Sequence, residues 1–224
     1  MRTPRTITAM LVLLLAAGGT QASESAVPLP PADAHTVDAA KLPPVGLAEM
    51  RPNPKLNSRE RALMWQAFAY LHTARDEYKD AAAAMEEALA AGGLDPTATM
   101  QMRYNLAQIY VLLERPDEAI REFDTWFATA PNPSGTAYYM YAMAHAQKGD
   151  KTRALQLARR AVEKGGADAK ESWLQLVASL LVEQKAYAAA VPVLTALIER
   201  FPQKAYWLQL SAVYSGLEQP GEAL

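Results

Sequence analysis

Tyr104-Asn105-Leu106-Ala107-Gln108-Ile109-Tyr110, the turn Glu114-Arg115-Pro116-Asp117, and then Ala119, Phe123 and Pro131 decide how this chain folds. Large apolar residues three or four apart form one stripe of a helix before the turn, and the stripe resumes after it. Pro116 suits the first turn of the second helix, where its missing amide costs little. Pro131 closes the second helix. Ala107 and Ala119 are small enough to let the two helices approach closely. The stretch therefore predicts an antiparallel helix pair.

Working outward, the same register recurs along the chain. Alanines fall at Ala81, Ala119, Ala154, Ala190 and Ala223, spaced by 38, 35, 36 and 33 residues. Sixteen positions before each stands a large residue: Trp65, Arg103, Tyr138, Leu174 and Trp207. Nine positions before lie His72, Tyr110, His145, Leu181 and Tyr214, and four positions after lie Met85, Phe123, Ala158 and Leu194. Gly93, Pro131, Gly166 and Pro202 end the complete units, and Ala69, Ala107, Ala142 and Ala178 are the small residues of the first helices. This is the tetratricopeptide pattern, two antiparallel helices per unit of about 34 residues. One such unit cannot bury its own apolar face, so several must stack. The expected fold class is all-α: a tetratricopeptide-repeat superhelix, or α-solenoid, of antiparallel helix pairs over residues 58–224. Unrelated alanine-rich hairpins are the rival reading.

The flanks read differently. Arg2 and Arg5 precede an apolar run over 9–17 and the small residues Gly18, Gly19, Thr20 and Ala22, the layout of a signal peptide over 1–22 with cleavage after Ala22. The run is about half the roughly 20 residues a membrane span needs. An uncleaved anchor is the alternative, and no membrane span is expected after cleavage. Residues 23–57 carry Pro28, Pro30, Pro31, Pro43, Pro44, Pro52 and Pro54 and read as an extended linker. Val45, Leu47 and Met50 leave open that it packs on the first helices instead. At the other end a fifth unit starts at Tyr206 and Trp207 and reaches Pro220-Gly221 without a polar capping helix, so a fragment is expected. Pro192, inside a second helix, predicts a bend without a break.

Composition excludes much. The 224 residues include 22 Lys and Arg against 24 Asp and Glu, which argues against nucleic acid as a partner. The chain contains no cysteine, so disulfides, thiolate zinc sites, a cysteine nucleophile and a lipoprotein anchor are all excluded. No phosphate loop, metalloprotease helix or nucleophile elbow occurs. His72 and His145 share a slot that holds tyrosine elsewhere and read as packing residues, while His35 lies alone in the linker. Glu86 and Glu87 read as an exposed helical face. No catalytic residue, cofactor or metal site is expected, and the chain reads as a non-enzyme.

Function is expected on the inner wall, which the first helices of such repeats line. The register selects Gln66, Tyr70 and Thr73 in the first unit, and Gln101, Tyr104 and Gln108 in the second. The third contributes Tyr139, Met143 and Gln147, and the fourth Ser172, Gln175 and Ser179. These are amides, hydroxyls and tyrosines without Lys or Arg, so a clamp for a terminal carboxylate is not expected. An uncharged or weakly charged peptide segment fits better, with Tyr104 and Tyr139 as anchors.

Three segments carry a narrower likeness: residues 104–110, Glu171-Ser172-Trp173-Leu174-Gln175-Leu176, and Phe201-Pro202-Gln203-Lys204-Ala205-Tyr206-Trp207-Leu208-Gln209-Leu210. Through them, residues 104–214 resemble the periplasmic tetratricopeptide proteins that accompany TonB–ExbB–ExbD energy-transducing systems. The resemblance implies a periplasmic, non-catalytic adaptor whose protein or peptide partner belongs to the TonB/ExbB/ExbD type, working in TonB-dependent transport. It also implies further repeats beyond Leu224. An assembly factor for outer-membrane, pilus or cell-wall machinery is the alternative within this class, and an enzyme-associated domain the alternative outside it.

Overall fold

A computed structural model describes residues 54–217. The expected signal peptide, most of the proline-rich linker, and Pro220 and Ala223 of the fifth repeat lie outside the described residues. Nine α-helices and no strand occur among those described. They are α1 (Ser58–Ala74), α2 (Tyr78–Ala91), α3 (Pro96–Leu112), α4 (Pro116–Phe127), α5 (Gly135–Lys148), α6 (Lys151–Gly165), α7 (Glu171–Glu183), α8 (Tyr187–Arg200) and α9 (Lys204–Gly216). None is long and apolar enough to cross a membrane.

Local chemistry starts most first helices. Asn57 caps α1 in a reciprocal box: its side chain accepts from the Glu60 amide and Glu60 accepts from the Asn57 amide, each at 2.9 Å. Asp95 caps α3 through the Ala98 amide at 2.8 Å, with Pro96 as first helical residue. Ser134 does the same for α5. Pro116 opens α4, as the sequence predicts.

The chain divides after Arg115 into two compact units. In the first, α1 packs on α2 and α2 on α3. In the second, each helix from α4 to α9 packs on the next. Ala81, Ala119, Ala154 and Ala190 are each the fourth residue of a second helix, and each is 0% exposed. A methyl there lets the neighbouring backbone come close, and Ala69, Ala107, Ala142 and Ala178 are buried on the first helices. Met85, Phe123, Ala158 and Leu194 complete the buried stripe.

The turn inside each of the four described helix pairs has one construction. The carbonyls of His72, Tyr110, His145 and Leu181 accept from the amides of Glu77, Arg115, Asp150 and Ala186, each at 2.9 Å. This bond across the helix end requires a left-handed residue between them. Asp76, Glu114 and Lys185 take it at φ 58°, 55° and 56°, and Gly149 at 85°. Among the described residues only the third repeat spells the turn with glycine.

Pro192 leaves α8 continuous from Tyr187 to Arg200. The missing amide bond to the preceding turn is outweighed by burial of Leu194, Leu197 and Ile198. On α9, Trp207 and Leu208 are 58% and 61% exposed. Trp207 shares its register slot with Trp65, which is 5% exposed.

Candidate functional site

In each unit the residues the register selects lie on first helices. In the first unit Gln66 is half-buried and Tyr70 is exposed. The amide of Gln101 donates to Asn105 Oδ1 at 2.9 Å, and Gln108 donates to the Tyr104 carbonyl. Tyr104 lies half-buried between them in sequence, and burial pushes its hydroxyl up to about 12. At any ordinary pH it is a neutral donor and acceptor beside amides. Thr73 turns its hydroxyl back on the Ala69 carbonyl at 2.7 Å.

In the second unit the centre is Glu171, which the inner-wall register did not select. Its carboxylate accepts hydrogen bonds from Gln175, Gln203 and Tyr206. Gln175 also bonds Tyr206, whose hydroxyl is pushed up to about 12 by burial first and by the Glu171 bond second. Gln175 is therefore held by neighbours on α7 and α9, and Ser179 stands exposed one turn further along α7. Nothing in the repeat pattern marks Glu171 or Tyr206. Their meeting depends on where α9 begins relative to α7, a distance of over thirty residues in sequence.

Tyr139 and Met143 correct the sequence expectation: they are 4% and 3% exposed and take no place on an open wall. Tyr139 is stacked on Trp173, with ring centroids 6.2 Å apart, and burial raises its hydroxyl despite a hydrogen bond with Ser172. Trp173 is the cause. Its ring fills the space above Gly135 and Gly165, where a Cβ would come within 2.5 and 2.7 Å of it. With both glycines occupied by the indole, Tyr139 becomes the third side of its pocket instead of an anchor. Gln147 remains half-buried at the end of α5.

The histidine slots combine packing with acid pairing. His72 Nδ1 lies 2.7 Å from Glu77 Oε2, and His145 Nδ1 lies 3.3 Å from Asp150 Oδ2. Burial pushes His145 below its usual value, with Asp150 opposing. In the second repeat Tyr110 carries the Arg115 guanidinium 4.6 Å above its ring. The slot and the residue five later thus form a matched pair in three repeats. A cavity of about 470 Å³ on α6 is lined by Tyr138, Arg153, Arg159 and Arg160, with Arg160 paired to Glu163 at 3.0 Å.

Stacked helix pairs on this register define a tetratricopeptide-repeat architecture of the α-solenoid class. Residues 67–133 and 104–169 match the tetratricopeptide repeat family model, so this part of the chain carries tetratricopeptide repeats. It is similar in structure to YrrB, described as a TPR protein with an unusual peptide-binding site, at 22% identity over 73% of this chain and 81% of that one, with a TM-score of 0.61. It is also similar to the MamA protein, at 16% identity over 73% and 86% of the two chains, with a TM-score of 0.63. MamA from Desulfovibrio magneticus RS-1 aligns at 14% identity over 73% and 89%, with a TM-score of 0.61. At these identities the likeness is one of fold. Comparison with curated proteins finds no match. Proteins of this class are generally non-catalytic scaffolds suited to binding a protein or peptide.

Proposed function

We propose that this protein is a non-catalytic adaptor of the bacterial periplasm, exported by residues 1–22, that holds an extended peptide segment of a TonB/ExbB/ExbD-type component. The observation that carries the peptide reading is the Glu171 cluster. A half-buried carboxylate on α7 and the amides of Gln175 on α7 and Gln203 before α9, braced by the buried Tyr206, offer acceptors and donors at fixed positions, the requirement for bonding an extended backbone. The first unit by itself offers Tyr104, a half-buried aromatic ring with a neutral hydroxyl. The carboxylate at the wall repels a terminal carboxylate and favours a segment rich in N–H donors. The solved relative YrrB, with its peptide-binding site, supports the same class of ligand. The TonB assignment rests on the resemblance of residues 104–214.

A photo-crosslinker placed at Tyr104 or Gln175 in cells is expected to capture a TonB/ExbB/ExbD-type protein, from material released with the periplasm. Tyr104→Ala should weaken the captured complex by on the order of 2 kcal/mol, and Glu171→Gln by a smaller amount. Capture of pilus or cell-wall components would replace the TonB assignment. Binding indifferent to both variants would remove the wall itself.

A further inference from the structure

The first repeat holds a group of side chains that the adaptor reading does not use. His72 on α1, Glu77 in the turn and Asp80 in the first turn of α2 bring one nitrogen and two carboxylate oxygens within 4.8 Å of one another. The imidazole is 4% exposed, its other ring nitrogen has no hydrogen-bond partner, and its one polar contact is with Glu77. The Asp80 side chain makes no hydrogen bond or ion pair among the described residues. A nearly buried ring with no polar contact outside the trio is thus aimed at two carboxylates that no basic side chain neutralises.

The other repeats show that this is not the register's default. At the positions equivalent to Glu77 and Asp80, the second repeat has Arg115 and Glu118, the third Asp150 and Arg153, and the fourth Ala186 and Ala189. In the second and third repeats an arginine stands beside the acid in this corner, and the fifth has Gln219 and a single acid, Glu222. Only the first repeat places two acids there, beside a histidine, and like charges side by side are unfavourable without a cation.

We propose that His72, Glu77 and Asp80 form a binding site for a divalent transition-metal ion, zinc being the ion this donor set fits. One imidazole nitrogen and two carboxylates are ordinary zinc ligands, and solvent completes the shell on the exposed side of Asp80. The ion would neutralise the two carboxylates and tie the end of α1 to the start of α2. His72 Nδ1, which donates to Glu77, would release that proton to solvent on binding the ion, and the same contact orients the ring toward the site.

The test uses tag-free protein carrying residues 23–224, titrated calorimetrically with zinc chloride. Wild type is expected to bind one equivalent with a rise in Tm. His72→Tyr keeps the packing, since Tyr110 occupies the same slot, and is expected to weaken binding at least about tenfold. Asp80→Arg, which copies the third repeat, should do the same. Arg153→Asp should convert the third corner into a second site and raise the stoichiometry to two. Absence of zinc binding by wild type, or binding that survives both His72→Tyr and Asp80→Arg, overturns the proposal.

Discussion

His72 and His145 occupy one slot in two repeats, each nine residues before an alanine that is fully buried, yet they end in opposite surroundings. At His145 the carboxylate of Asp150 is also bound by the Arg153 amide at 3.0 Å and held below its usual value, first by that bond. Asp150 is thereby both a helix cap and a partner, and Arg153 balances its charge. At His72 the cap position is Glu77, which makes no capping bond, and the next acid is Asp80. The backbone of the two corners is the same down to the 2.9 Å amide bond across the turn. The difference teaches that the repeat sets where a side chain sits, while its chemistry is set by the residue eight positions later.

If the frame is shared, damage to it should be shared too. Ala81→Leu and Ala154→Leu each force three carbons into a space with none to spare, and each should cost about 1–3 kcal/mol in urea unfolding. A large loss in one corner only would break the equivalence.

The turn offers a finer test. Lys185→Gly relieves a side chain held at φ 56° and should stabilise by about 1 kcal/mol, whereas Gly149→Ala should destabilise by a similar amount. Tm shifts of the same sign for both would show that the turns are not alike.

The smallest expected effect is on pH dependence. Facing His145 are Asp150, Asp124, Arg153 and the Tyr141 ring, and burial prevails over the acids to lower its value. The unfolded chain then takes up this proton at a higher pH than the folded one. Stability from the neutral ring is complete above the ordinary histidine value of 6.5 and is lost as pH falls below it. His145→Gln should make the fall in stability between about pH 7 and pH 5 shallower. An unchanged slope would mean that Asp150 cancels the burial effect.

The helix pairs were legible because they follow from local rules: apolar residues recurring with the helical period, alanines where backbones meet, proline at a first turn and glycine past a helix end. Gly92, at φ 69° after α2, and Pro116, opening α4, sit where those rules place them. The left-handed turn was legible only at Gly149, since Asp76, Glu114 and Lys185 adopt it under the pull of the helices on either side. The polar wall was legible in part. Tyr104, Gln108 and Gln175 are half-buried, whereas Tyr139 disappears under Trp173, and Glu171 enters through partners on α9.

By itself the sequence determined the class of fold, the register and the glycine turn of the third repeat, because these depend on neighbours within one repeat. Tertiary structure alone decided which tyrosine stays accessible, which carboxylate collects the wall's hydrogen bonds, and that Glu77 and Asp80 converge on His72. Those outcomes depend on how closely successive helices pack, and packing distance is a property of whole side chains meeting in space that no spacing along the chain encodes.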